Sequence, residues 1–565
     1  MNKIVLLSIF LAGMLVSGNS QDPYISIESQ VALGSELIDN AFKAVIDSEG
    51  NRIVYGSFSE EIDFDPTATE FIIEPLGSPD LFLASYSPDG SLIWAFNLGR
   101  IALNSGMSAR GLRVDSDNNV IISGGFSLTV DFDPSAIDSP LTAVQGLDGF
   151  VAKYNSNGQF IWVKQFGSIG SDIITALAID DQDNNVIGVL FGGEIDLDPS
   201  TGSQDLATPV GGIDAAVVKL DTDGNYAWSF LVAPDVNNEF VSALAVNSTG
   251  VIALGAVINA ITTGIPVQAM FAGVLDLDGA EIWSYDFQNQ GQSNVISHIV
   301  FSEDEENIYL GGRIQVDTDF DPSENEEIIS PLFADPFLSK HSSVDGSLTW
   351  VKYVESSSTA DYCAGVHESN GIVFMAGSFD VLATFVPGDF TTQVPSNGAS
   401  DVFVSVYEAS SGDFIEAETF GGSGGEKAND AFFGGSDGLL IVGQFSSSLG
   451  LVEGGEIIAA EGFEDGFIAE FSYLYNLSAG IKLNEKDIVL YPVPAKDHVF
   501  VQLNDINSNS VQIKLINIIG QTVFEGEFDN SSNKLKIDIN GLSQGVYLME
   551  VRVNDSSITK RLIKE

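Results

Sequence analysis

The sequence predicts an all-β protein: a seven-bladed β-propeller closed by an N-terminal strand, followed by a small C-terminal antiparallel β-sandwich. Three observations predict it. Two hairpin-like elements recur in alternation seven times. All five Trp (Trp94, Trp162, Trp228, Trp283, Trp350) fall at one position of that repeat. Charge changes abruptly ahead of the last 85 residues, which sets the tail apart.

The repeat comes first, because a missed repeat misassigns the whole fold. Asp148–Trp162 reads DGFVAKYNSNGQFIW, Asp80–Trp94 reads DLFLASYSPDGSLIW and Asp214–Trp228 reads DAAVVKLDTDGNYAW. Asp335–Trp350 and Phe271–Trp283 are further copies, and Asp401–Ile415 and Asp465–Phe471 are copies without Trp. An upstream element accompanies each, as in Gly111–Phe126 (GLRVDSDNNVIISGGF) and Gly365–Phe379 (GVHESNGIVFMAGSF). Each element alternates apolar and polar residues around an Asn-Gly, Asp-Gly or Asp-Asn-Asn turn, and those residues favour the positive φ of tight hairpins. Two hairpins per unit make four strands, and four strands in seven units make a propeller. A β-helix would have shorter rungs without paired hairpin turns. The seventh unit stops at Asp465–Phe471, one strand short, and Ile25–Leu33 supplies an alternating segment with no hairpin of its own. It is expected to pair there and close the ring, since an open blade edge exposes unpaired backbone groups.

The recurring strings Asp-Gly-Asn-x-x-x-x-Gly-x-Phe, Asp-Phe-Asp-Pro and Asp-x-Phe-x-x-x-Tyr-x-x-x-Gly-x-x-x-Trp resemble the bacterial seven-bladed β-propeller repeat (SBBP-type) family, across residues 22–471. The resemblance implies the fold and no particular reaction.

The two ends carry addresses. Residues 1–20 read as a signal peptide: Lys3, an apolar run from Ile4 to Val16, then small residues. The apolar run is too short for a membrane span, and no later segment qualifies. Residues 472–487 read as a linker. Residues 488–565 alternate Val, Ile and Leu with Gly520 and Gly545 as punctuation, which predicts the sandwich. Tyr491-Pro492-x-Pro494-Ala495, the Gly520 turn, Gly545-Val546-Tyr547 and the terminal Lys560-Arg561-Leu562-Ile563-Lys564 resemble the type IX secretion system sorting domain of Bacteroidetes cargo proteins. Val493 and Asn517 depart from its commonest residues. The resemblance implies the type IX machinery as a partner and a destination outside the cell or on the outer surface of the outer membrane.

Composition excludes several function classes. The 565 residues include 23 Lys and Arg against 79 Asp and Glu, a net charge of −56, which argues against a nucleic-acid partner. One Cys excludes a disulfide framework and a Cys-based zinc site. The recurring polar motif is Asp-x-Asp-Pro, at Asp63/Asp65, Asp131/Asp133, Asp196/Asp198 and Asp319/Asp321. In extended chain the two carboxylates share a face, a donor set that suits Ca2+. The competing reading, which is preferred, has each Asp accepting nearby backbone N–H groups at a strand end. No other cofactor is indicated. Gly421-Gly422-Ser423-Gly424-Gly425 fits the Gly-x-Ser-x-Gly hydrolase string but lacks the strand–turn–helix context that string needs. Cys363 and His367 fall at opposite ends of one expected strand, and His367 is placed at the position of Asp115. No catalytic set emerges. The preferred function is a secreted or cell-surface binding or scaffold protein for a glycan or protein. An extracellular polysaccharide hydrolase or lyase, which would show one cluster of unlike polar residues departing from the repeat, and a passive structural or adhesion component are the other two readings.

Overall fold

The computed structural model describes Leu6–Leu7 and, from Tyr24 on, all residues except 36, 66, 68, 78, 101–106, 136–138, 201–203, 211, 233–237, 263–264, 292–293, 324, 435–437, 450–457, 461–462, 475–487, 504–509, 518–520, 530–533 and 554–555. Most of the expected signal peptide, most of the linker and the Gly520 turn therefore lie outside the described residues. Among those described there is no α-helix. The chain divides into two compact units, chiefly Ile27–Ser472 and Tyr473–Glu565.

In the first unit, each of the first five sequence repeats forms one four-stranded antiparallel sheet, and the sixth and seventh each lie in a five-stranded one. Sheet one is Asn40–Ile46, Arg52–Phe58, Asp80–Tyr86 and Leu92–Asn97, paired in that order. Sheet two starts at Met107–Val114, sheet three at Ile173–Ile179, sheet four at Phe240–Val246, sheet five at Val295–Phe301 and sheet six at Tyr362–Ser369. Sheet seven holds Glu426–Gly434, Gly438–Phe445 and Asp465–Leu474, its fourth strand is Tyr24–Leu33, from the other end of the chain, and Leu6–Leu7 pairs with that strand as a short fifth. The strand at Asp465 runs on to Leu474, and Ser472 still pairs with Gly438. The first strands of successive sheets lie side by side, and the first strand of sheet seven lies against that of sheet one. Two further contacts join those two sheets: Asp39 N–H donates to Glu464 O (2.9 Å), and Arg52 Nη2 pairs with Glu470 (2.6 Å).

Every first strand carries a β-bulge against the second, centred on Phe42, Arg110, Thr175, Ser242, Ser297, Ala364 and Asn429 in sheets one to seven. A bulge adds twist and re-aims the side chains beside it. It also gives a common origin for comparing the sheets.

The five Trp lock consecutive sheets together. Trp94 Nε1 donates to Ser156 O (2.9 Å), Trp162 to Thr222 O (3.3 Å), Trp228 to Leu277 O (3.1 Å), Trp283 to Ser343 O (2.9 Å) and Trp350 to Ala409 O (3.2 Å). Each acceptor lies in the outer turn of the following sheet. Each ring also covers that turn's glycine (Gly158, Gly224, Gly279, Gly346, Gly412), whose φ is positive and where a side chain would meet the indole.

The second unit pairs Ile488–Tyr491, His498–Leu503 and Lys534–Asp538 in one antiparallel sheet, and Thr522–Asp529, Ser510–Asn517, Gly545–Val553 and Ser556–Lys564 in another. Alternate residues of both, among them Val499, Val501, Ile537, Ile513, Leu515 and Met549, form one buried apolar cluster. This is the period-2 burial that the Val/Ile/Leu alternation implies.

Candidate functional site

The Asp-x-Asp-Pro motifs open the loops between second and third strands. Their central residues Phe64, Phe132, Leu197 and Phe320 are buried, as alternation requires. Asp63 Oδ1 accepts from the backbone N–H groups of Asp65 (3.1 Å) and Phe71 (2.8 Å), and Asp65 Oδ1 from Thr67 (2.8 Å). The same bonds recur at Asp131 with Asp133 and Ser139, at Asp196 with Asp198 and Asp205, and at Asp319 with Asp321 and Glu327. Asp133, Asp198 and Asp321 likewise accept from Ser135, Ser200 and Ser323. These carboxylates organise their own loops. Among the described residues, no three His, Cys, Asp or Glu side chains form a metal-ligating group.

Cys363 and His367 part company. Cys363 is buried, with its thiol toward Gly365 O (3.6 Å), and burial pushes the thiol up to about 12. His367 stacks on Phe433, with ring centres 4.6 Å apart. The expectation for His367 is corrected by register. It pairs with Phe374 as Arg113 pairs with Ile121, so it occupies the position of Arg113 rather than Asp115. The tighter Asn370-Gly371 turn of sheet six shortens the hairpin and displaces a purely linear alignment.

The bulge origin exposes a site that reading along the chain missed. The residue after the bulge is Lys43, Gly111, Ala176, Ala243, His298, Gly365 and Asp430 in sheets one to seven. Four are small. The other three converge: Lys43 Nζ lies 2.7 Å from Asp430 Oδ1, and His298 Nε2 lies 3.7 Å from the same oxygen. His298 belongs to sheet five and Asp430 to sheet seven, with Gly365 at this position in the sheet between. His298 Nδ1 is 3.1 Å from Ser297 Oγ. Asn429, the bulged residue of sheet seven, donates through Nδ2 to Ala41 O in sheet one (2.9 Å). The cluster's field reaches Arg113, whose Nη1 donates to Leu112 O (2.8 Å).

Burial pushes the Asp430 carboxyl up, but the Lys43 ammonium and His298 outweigh it and hold the group at about 2. Burial pushes His298 below the ordinary imidazole value. At neutral pH the cluster therefore holds two cations, one carboxylate and a neutral imidazole, a local positive excess within a chain of net charge −56. Such a site fixes an anionic or hydrogen-bonding group by charge and orientation. Its carboxylate is engaged by Lys43 and is not poised to exchange protons near neutrality.

Residues 489–565 match the family described as Secretion system C-terminal sorting domain. The tail thus carries the type IX sorting signal that its motifs resemble, and the signal implies export to the cell surface or the extracellular space. The match includes none of the seven repeated sheets. Over 182 residues the chain is 26% identical to a WD repeat-containing protein of Acanthamoeba polyphaga mimivirus; the match covers 28% of this chain and only 12% of that relative's length. Among solved structures it is similar to the β-propeller domain of the Trilobed protease from Pyrococcus furiosus, with 9% identity and a TM-score of 0.38 over 80% of this chain and 100% of that one. It is similar also to quinohemoprotein alcohol dehydrogenase from Comamonas testosteroni, with 11% identity and a TM-score of 0.38 over 79% and 76% of the two chains. No helix among the described residues is long and apolar enough to cross a membrane.

Proposed function

We propose that the protein is a secreted or cell-surface binding and scaffold protein of the bacterial seven-bladed repeat type. In this reading a signal peptide takes it across the inner membrane and the sorting sandwich hands it to the type IX machinery. Tyr24–Leu33 closes the seven sheets into one ring, with the first strands around its axis. The ligand, a glycan or a protein, is held by an anionic group at the axial cluster of Lys43, Arg113, His298 and Asp430. The observation that carries the binding reading is the departure from small residues at one repeat position in three sheets, and the convergence of those three side chains. A purely structural ring needs small residues there, as four sheets have.

The test is a glycan and protein array probed with the secreted chain and with the triple variant Lys43→Ala, His298→Ala, Asp430→Ala. Hits that the wild type makes and the variant loses support the reading. Hits that are unchanged place recognition elsewhere. One observation also favours a polysaccharide-active enzyme: unlike polar groups meet at a departure from the repeat. Release of shortened or unsaturated oligosaccharide from a polysaccharide panel, abolished in the same variant, would choose that reading.

A further inference from the structure

A second repeat position departs in the same manner, at the junctions between sheets. Three residues before each bulge stand Asp39, Met107, Asp172, Glu239, Asn294, Asp361 and Glu426. Where the residue is Asp or Asn, its oxygen accepts a backbone N–H just past the second strand of its own sheet or, in sheet six, within it. The donors are Ser59 to Asp39 (3.0 Å), Gly192 to Asp172 (3.0 Å), Gln315 to Asn294 (2.6 Å) and Asp380 to Asp361 (2.8 Å). Glu239 and Glu426 are one methylene longer. Both are buried, and neither oxygen of either accepts a hydrogen bond of good geometry.

Each of these Glu faces an Asp on the third strand of the preceding sheet. Asp401 lies beside Glu426 and Asp214 beside Glu239. Asp401 and Asp214 are buried too, and each keeps one oxygen, Oδ1, without a donor. Their Oδ2 atoms accept from Asn397 N–H (2.9 Å) and Val210 N–H (2.8 Å). The glycine loop Gly421–Gly425 closes over the first pair. A side chain on Gly421 would strike Asp401. One on Gly422 would lie 3.2 Å from Glu426 Oε1 and would strike the carbonyl oxygen of Ser448. Glycine here lets the main chain approach the two acids.

Two adjacent buried carboxylates cannot both stay ionised without a compensating charge. Burial and the neighbouring Asp push Glu426 up to about 7 and Glu239 up to about 8. Their unpartnered carboxylate oxygens are hard donors of the kind that suits Ca2+.

We propose that Asp401 and Glu426, enclosed by the loop Gly421–Gly425, form a calcium site between sheets six and seven, and that Asp214 and Glu239 form a second between sheets three and four. The sites use none of the Asp-x-Asp-Pro carboxylates. The cation links two sheets, so it stiffens the junction next to the last one.

The test is calcium titration of the full mature chain, after chelation, by calorimetry and by thermal unfolding. The expected stoichiometry is two per chain, with a calcium-dependent rise in Tm of about 2–4 °C or more per site. Glu426→Gln and Glu239→Gln each remove one site. Should either Gln variant fail to fold, Glu426→Asp installs the residue that sheets one, three and six carry there; it is expected to fold and to bind one calcium. Asp63→Asn with Asp131→Asn is expected to leave the stoichiometry at two. Absence of binding at millimolar calcium, with the pH dependence of stability intact, would mean that each pair shares a proton only and would overturn the proposal. Binding undiminished in Glu426→Asp or lost in the Asp63/Asp131 variant would do the same.

Discussion

Between Asp22 and Gly480 the chain carries 12 Lys and Arg against 68 Asp and Glu, whereas Ile481 to Glu565 carries 10 against 11. The two units differ inside as well as outside. The body buries acids at fixed repeat positions: Asp80, Asp148, Asp214, Asp335, Asp401 and Asp465 each lie on a third strand, and none is more than 5% exposed. Among the described residues of the tail no charged side chain is buried, and its core is aliphatic apart from Tyr547. A unit repeated seven times must set the same junction geometry repeatedly, and buried polar groups supply directional contacts that apolar surface does not. The tail has one interior and one pair of sheets to align, so alternating Val, Ile and Leu suffice.

The sharpest way to break this comparison is to cut each unit separately. Deleting 488–565 is expected to abolish appearance outside a type IX-competent cell while leaving the Tm of the purified body unchanged. Deleting 24–33 is expected to do the reverse. It strips Asp465–Leu474 of its partner, so the body aggregates or melts early while the sorting signal is untouched. Cell fractionation and thermal unfolding of both truncations read this out. Normal export without the tail, or an unaltered monomer without the strand, defeats the division of labour.

A smaller effect is expected at the sheet junctions. Trp350→Ala removes a buried ring together with its bond to Ala409 O and is expected to cost about 3–5 kcal/mol by denaturant unfolding. Trp350→Phe keeps most of the packing but loses the donor, at about 1 kcal/mol. Equal losses in the two variants would mean that the hydrogen bond, not the packing, holds the junction.

The smallest effect is on pH, and it belongs to the body. Burial pushes Asp335 up to about 6 and Asp361 and Glu426 up to about 7, and burial with Asp214 pushes Glu239 up to about 8. Between the ordinary carboxylate range and those values, the folded body keeps protons that the unfolded chain has released. Their stabilisation is complete below about pH 4, declines as pH rises through those values and is gone above about pH 8. In chelator, the Tm of the body is expected to fall from pH 5 to pH 8.5, and Glu239→Gln to flatten the upper part of the fall. An unchanged slope in that variant would assign the decline to general charge repulsion instead.

The strands were legible because alternation and turn chemistry act within ten residues: Asn155 to Gly158 and Asp221 to Gly224 form the tight turns that their residues imply. The Trp series was legible as a repeat, and its shared position fitted a shared contact. The cluster of Lys43, His298 and Asp430 was not legible. Lys43 and Asp430 are 387 residues apart, and only the bulge register shows that they occupy one repeat position. A signal did exist: once the seven first strands are aligned on their bulges, three charged or titratable residues stand out against Gly and Ala. His367 shows how a one-turn difference in hairpin length defeats alignment by spacing alone.

By itself the sequence determined the all-β character, the repeat, the separate charge-balanced tail and its address, because hydrophobic period, turn residues and short motifs are local properties of the chain. The tertiary structure alone decided which departures from the repeat meet. Tyr24–Leu33 joins sheet seven, Lys43 and His298 meet Asp430, and Glu426 meets Asp401, none of these being a contact within one hairpin. The physical reason is that a repeat specifies every unit alike, and the meaning of an exception depends on its neighbour. A lone Lys, His or Glu on one strand has no role until packing of the sheets supplies the charge it faces and removes the water around it.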